Sequence, residues 1–120
     1  MKIKKPGIFL SPLIFIFLSI ASPARAQSID SLKILLGTIQ NDSLKILLRN
    51  KLVLELIPSD TIEARQLLNQ NMILSRQRSN YYLEGDCFLT SGILYSKLAE
   101  YELAMNNLTE ALSRFSKSND

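Results

Sequence analysis

Apolar and small residues in the second half of the chain recur at three- and four-residue spacing, in two runs that part near Glu100. In the first run Phe88, Gly92 and Tyr95 share one helical face. In the second, Tyr101, Ala104, Leu108, Ala111, Leu112 and Phe115 form a stripe. The pattern predicts two amphipathic helices over Gly85–Lys117. A glycine inside a helix costs about 1 kcal/mol relative to alanine. Gly92 therefore calls for a structural reason, and close approach of two helices, with Ala104 opposite, supplies one.

Three further helices are predicted upstream. The heptapeptide Asp30–Leu36 recurs as Asp42–Leu48, and each copy sets an Asp-Ser pair before a leucine-rich run. A short oxygen side chain and an anion at that place read as a helix N-terminus. The first copy opens a short helix, Ser31–Ile39, and the second a longer one, Ser43–Ile57, with Gly37–Asn41 between them. The twelve-residue period fits no standard solenoid, so the duplication is similar capping chemistry used twice. Leu52, Val53, Leu54, Leu56 and Ile57 are nearly continuous, so the longer helix should be buried on several sides. Pro58-Ser59-Asp60 then punctuates the chain, with Ser59 or Asp60 placed to cap a helix over Thr61–Arg78, which Ser79-Asn80 ends.

The Gly85–Ser118 pattern resembles the tetratricopeptide repeat, a helix-turn-helix unit of about 34 residues. Phe88 falls at its large aromatic position, Ser91-Gly92 on its Leu-Gly pair, and Tyr95 on its tyrosine. Ala104 takes the small position opposite the glycine, Leu108 the phenylalanine, and Ala111-Leu112 the Ala-Leu pair. Ser91 in place of leucine and Ser116 in place of the closing proline are departures. Residues 44–78 resemble an earlier, degenerate copy, with Leu52, Val53 and Leu56 on the Leu-Gly and tyrosine positions, Ala64 on the small one and Leu68 on the phenylalanine. That match needs a one-residue deletion at Pro58, and Asn71 stands where the second alanine is expected. The resemblance implies an all-α fold of antiparallel helix-turn-helix repeats in a short right-handed α-solenoid. The expected layout is a leader over 1–26, a short helix over 27–40, a degenerate repeat over 41–79 and a repeat over 80–120.

The leader changes the electrostatic picture. Lys2, Lys4 and Lys5 precede an uncharged, mostly apolar run from Ile8 to Ile20, and Ala24-Arg25-Ala26 is a small-x-small cleavage signal. The run is shorter than the ~20 residues of a membrane span. Export to the periplasm or beyond, with cleavage after Ala26, is the expectation, and an uncleaved membrane anchor the rival. Four of the 14 basic residues (Lys2, Lys4, Lys5, Arg25) and none of the 11 acidic ones lie in the leader, leaving 10 against 11, a net charge of −1 over 94 residues. No positive field then argues for nucleic acid. Arg76 and Arg78 read as a solvated helix end. Cys87 is the only cysteine, which excludes an intramolecular disulfide, and its place beside Phe88 reads as a small buried apolar group.

Catalytic chemistry is thinly represented. With no histidine, the commonest general base and metal ligand are both missing. Isolated glycines make no phosphate loop, and Glu100 and Glu102 read as caps of the second helix. Asn107-Leu108-Thr109 fits the glycosylation pattern but lies in mid-helix. No enzyme activity and no cofactor or metal is expected. The resemblance implies a concave face on Asp86, Leu89, Ile93, Ser96 and Lys97, with Leu89 and Ile93 as apolar anchors for a partner and Asp86 and Lys97 as rim. Alternatively, Leu89 and Ile93 pack on the preceding helix as shared core. Phe88, Gly92, Tyr95, Ala104, Leu108 and Ala111 carry the repeat packing. The apolar face of the last helix invites a partner or self-association. The function implied is a non-catalytic protein-interaction or scaffold module in the cell envelope; the alternatives are the sensory input region of a sensor kinase or transcription regulator, and a membrane-tethered structural protein.

Overall fold

The computed structural model describes residues 26–57 and 59–119, and among these the regular structure is entirely α-helical. Most of the expected leader lies outside the described residues. The helices are α1 (26–38), α2 (Asp42–Leu56), α3 (Thr61–Gln77), α4 (Tyr81–Lys97) and α5 (Tyr101–Ser118).

The caps explain where each begins. Asn41, Asp60 and Asn80 each turn a side-chain oxygen onto the amide three residues ahead, on Leu44, Glu63 and Leu83. Each satisfies one of the free first-turn donors. The duplicated Asp-Ser pairs act differently from expectation. Asp30 and Ser31 lie within α1, which starts earlier than Ser31. Asp42 occupies the first turn of α2 after the Asn41 cap and forms an ion pair with Arg78. Gly85, expected at a helix start, lies inside α4.

Helices α3 and α4 end alike. Ser79 and Ala99 take left-handed backbone, with φ 51° and 61°, one residue before the next N-cap. A non-glycine residue there strains Cβ against the following carbonyl. Ala99→Gly should therefore raise stability by about 0.5–1 kcal/mol in urea denaturation; an unchanged or lowered midpoint would show the turn unstrained.

Consecutive helices pack antiparallel. The start of α2 meets the end of α3 through Asp42 and Arg78, and the start of α3 meets the end of α4 through Arg65, which lies 5.7 Å from the Tyr95 ring and 3.9 Å from Glu100. The start of α4 meets the end of α5 where the Tyr82 and Phe115 rings stand 5.5 Å apart and Arg114 lies 5.3 Å over Phe88. Two reversals leave α2 and α4 parallel, and they touch each other as well.

One apolar core joins Leu52, Val53 and Leu56 of α2 to Ala64 and Leu68 of α3, Leu94 of α4 and Leu32 of α1; Ile29, Leu36 and Leu98 pack against it. As its composition predicts, α2 is buried on several sides. A second, smaller cluster sets Ile46 against Leu83 and Cys87, with Met72 and Leu74 packed on it.

The two hairpins share a sequence register. In α3 the buried residues are Ala64, Leu68, Asn71 and Ser75, and an offset of 40 carries them to Ala104, Leu108, Ala111 and Phe115 of α5. Between α2 and α4 the offset is 39, carrying Leu52 and Val53 to the buried Ser91 and Gly92. The one-residue difference lies between Leu56 and Thr61, with α4 running two residues further in this register than α2.

Gly92 is closed off chiefly by Leu108. A methyl group added to Gly92 would stand 2.5 Å from Leu108 Cδ2 and 3.4 Å from the Ala104 carbonyl oxygen. The expected pairing of Gly92 with Ala104 is thus a backbone approach, with the leucine side chain filling the space. Gly85 makes a second close approach, to Phe115, at 2.7 Å for the same added methyl.

Candidate functional site

A groove of about 190 Å³ opens along the parallel pair α2 and α4. Leu47, Asn50, Lys51 and Leu54 line it from α2, and Asp86, Leu89, Thr90 and Ile93 from α4. The two sets have identical spacing: each residue of the second stands 39 positions after its counterpart in the first. Both helices therefore present the same face, and the groove is one surface made twice. Residues at i, i+3, i+4 and i+7 lie together on a helix, which is why four from each line one wall.

Of the sequence-derived partner residues, the groove brings together Asp86, Leu89 and Ile93. Lys97 is exposed on the last turn of α4 and is not among the lining residues, and Ser96 lines a different depression, on α5. The alternative that Leu89 and Ile93 pack on α3 does not describe this arrangement. They share the groove with α2, and Leu89 remains 37% exposed, whereas Leu94 on the same helix is 1% exposed in the core. The packing residues are placed unevenly. Gly92, Ala104 and Ala111 are buried, Phe88 and Tyr95 are half-buried beneath Arg114 and Arg65, and Leu108 is only partly covered.

Beneath the groove runs a buried polar bridge that links three helices. Asn71 Nδ2 donates to the Ile46 carbonyl and to Asn50 Oδ1, both at 2.9 Å. Asn50 Nδ2 in turn donates to Asp86 Oδ2 at 2.8 Å and to Cys87 Sγ at 3.5 Å. The Asn71 amide nitrogen, in the second-alanine position, is thus satisfied by the backbone and side chain of α2, while its buried Oδ1 has no partner among the described residues. Asn50 holds the Asp86 carboxylate at the groove edge, so the bridge orients a surface charge from below.

Cys87 behaves as the buried group expected from its position, with one addition. Burial pushes its thiol above the usual 9.0, helped by the Asp86 and Glu84 carboxylates, while contacts from Asn50 and Ser75 pull it back. A thiol held neutral this way is a poor nucleophile.

The groove offers four apolar side chains (Leu47, Leu54, Leu89, Ile93) together with one cation (Lys51) and one anion (Asp86). That combination suits a peptide segment with spaced apolar side chains. Among the described residues no three His, Cys, Asp or Glu side chains stand together in a way that could hold a metal ion. Compared with protein-family models, curated proteins and solved structures, the chain matches none of them.

Proposed function

We propose that this protein is a non-catalytic protein-interaction module of tetratricopeptide type, working in the cell envelope, that holds a peptide segment of its partner in the α2/α4 groove. The observation that carries this reading is the 39-residue identity of register between the two groove walls. A face repeated on successive parallel helices presents the same side-chain spacing twice, which is how helical repeats assemble an extended binding surface. Leu89 and Ile93 serve as anchors, Asp86 and Lys51 flank them, and Lys97 extends the polar rim along α4. A short right-handed solenoid belongs to the same proposal; the contacts α2 on α3, α3 on α4, α4 on α5 and α2 on α4 support its successive stacking, and the hand is what the resemblance implies.

Envelope location rests on the leader over residues 1–26, and among the described residues no helix is long and apolar enough to cross a membrane. The testing experiment is co-purification from envelope extracts with wild type and Leu89→Asp in parallel, each also melted. The module reading expects a defined protein recovered with wild type, depleted about tenfold or more by Leu89→Asp, and melting temperatures within a few degrees of each other. Equal recovery by both proteins would remove the groove as the binding surface.

A further inference from the structure

Asp86 is a carboxylate fixed in place in a groove lined largely by apolar side chains. Its Oδ2 accepts from Asn50 Nδ2 at 2.8 Å, and Asn50, only 2% exposed, is itself held through Oδ1 by Asn71 Nδ2 at 2.9 Å. A donor pinned in the dry interior sets the direction of the charge before any partner arrives. The nearby Thr90 hydroxyl is turned back onto the Asp86 carbonyl, 2.8 Å away, and does not compete for the carboxylate.

That carboxylate has no counter-ion in the fold. Among the described residues Asp42, Glu63, Glu84, Glu100 and Glu110 each pair with a lysine or arginine, whereas Asp86 pairs with none. Lys51 lines the same groove without forming an ion pair there, and it is exposed on a long stem that keeps its ammonium in water. Asp86 has a short stem and is half-buried, so it is the groove charge whose position is set.

A partner that covers the groove strips water from Asp86. Left unpaired, the carboxylate then opposes binding; met by a cation, it forms a charge-assisted hydrogen bond in apolar surroundings. The groove therefore selects one sign of charge by penalty as well as by attraction. The register adds a position. The counterpart of Asp86 on the other wall is Leu47, so the anion occurs once along the groove. Leu89 follows it on α4 by three residues, about 4.5 Å along the helix axis.

We infer that the partner-protein segment held in the groove is cationic at one place. It sets an arginine or lysine side chain against Asp86, one or two residues of extended chain from the apolar side chain seated on Leu89. This rests on the groove reading and adds the chemistry of the partner.

The probe is a displayed library of random segments about twelve residues long, held in a carrier loop so that no free terminus supplies charge. It is selected in parallel on wild type and on Leu89→Asn, which removes the anchor without adding charge. Sequences enriched by wild type alone should carry arginine or lysine one or two residues from a large apolar side chain. In such a peptide, resynthesised, glutamine in place of the basic residue should weaken binding about tenfold, as should Asp86→Asn in the protein. The two changes together should weaken it no more than either alone. Asp86→Asn keeps a side-chain oxygen for Asn50, and the peptide change leaves the protein untouched, so neither reading depends on a damaged fold. Enrichment that depends on Leu89 but favours no basic residue, or losses that simply add, would overturn the inference and leave the groove reading standing. With no Leu89-dependent enrichment, both fall. A dimer in sedimentation equilibrium that Leu89→Asn converts to monomer would make a second copy the occupant and refute the partner segment.

Discussion

Gly92→Leu is expected to lower stability by about 3 kcal/mol or more, a fall of at least roughly 12 °C in melting temperature for a domain of this size. Even a methyl group at this position would stand 2.5 Å from Leu108 Cδ2 and 2.6 Å from its Cγ. Rotation of Leu108 could relieve the first contact, because that side chain is partly exposed. It cannot relieve the approach of the Ala104 carbonyl, which belongs to the α5 backbone. Four added carbons must therefore push the helices apart and uncover Ala104 and Ala111, both now buried. Thermal melts followed by circular dichroism measure this. Gly92→Ala, which Leu108 can partly accommodate, should fall between wild type and leucine. A leucine variant that melts with wild type would mean the α4/α5 contact is not made.

The second large effect belongs to the buried amide bridge. Asn71→Ala should cost about 2–4 kcal/mol, because it strands Asn50 Oδ1 in a dry site and leaves a cavity. Pairing it with Asn50→Leu should recover at least half of that loss. The double change removes both amides together, so no acceptor is stranded between α2 and α3. Asn71 Oδ1 has no hydrogen-bond partner among the described residues, so the natural bridge itself carries an unmet cost. The second hairpin already uses this pair: Leu89 and Ala111 are the register counterparts of Asn50 and Asn71. Asp86 is only half-buried and keeps water when Asn50 is lost. Chemical denaturation of both single variants and the double gives the coupling directly. Strictly additive losses would show that the two amides do not act as a unit.

Helix identity was legible in the sequence because a core-facing helix must repeat at three and four, and α3 and α5 do so with few interruptions. Asp60 was readable as a cap because no competing oxygen side chain follows it before the apolar run except Thr61. Asn41 was hidden by the Asp42-Ser43 pair beside it, which offers equally good capping groups one and two residues later. Gly85 reads as a helix start, and its place inside α4 makes sense only once the Phe115 ring is seen against it, a contact between opposite ends of a hairpin. The stripe on α5 is too wide for periodicity to separate its two edges. Ala104 and Ala111 turn into α4, and Leu112 turns out to water. The α4 wall of the groove was half visible, since Leu89 and Ile93 share a face. The α2 wall was not, because Leu47, Asn50, Lys51 and Leu54 gain their meaning from parallel pairing with a helix 39 residues away. The repeat alignment set Asn71 at a packing position, but Asn50 carries no such signal, and only packing brings the two together in the dry interior.

The central claim is that α4 has a core edge and an open groove edge, and denaturing Leu89→Asp beside Leu94→Asp tests it on one helix with one substitution. The account predicts that Leu89→Asp stays within about 1 kcal/mol of wild type, including roughly 0.5 kcal/mol of repulsion from Asp86 one turn away. It predicts that Leu94→Asp loses about 4 kcal/mol or more, because an unpaired carboxylate enters the apolar core. Equal and large losses at both positions would make Leu89 a core residue, and the groove would not exist as a binding surface.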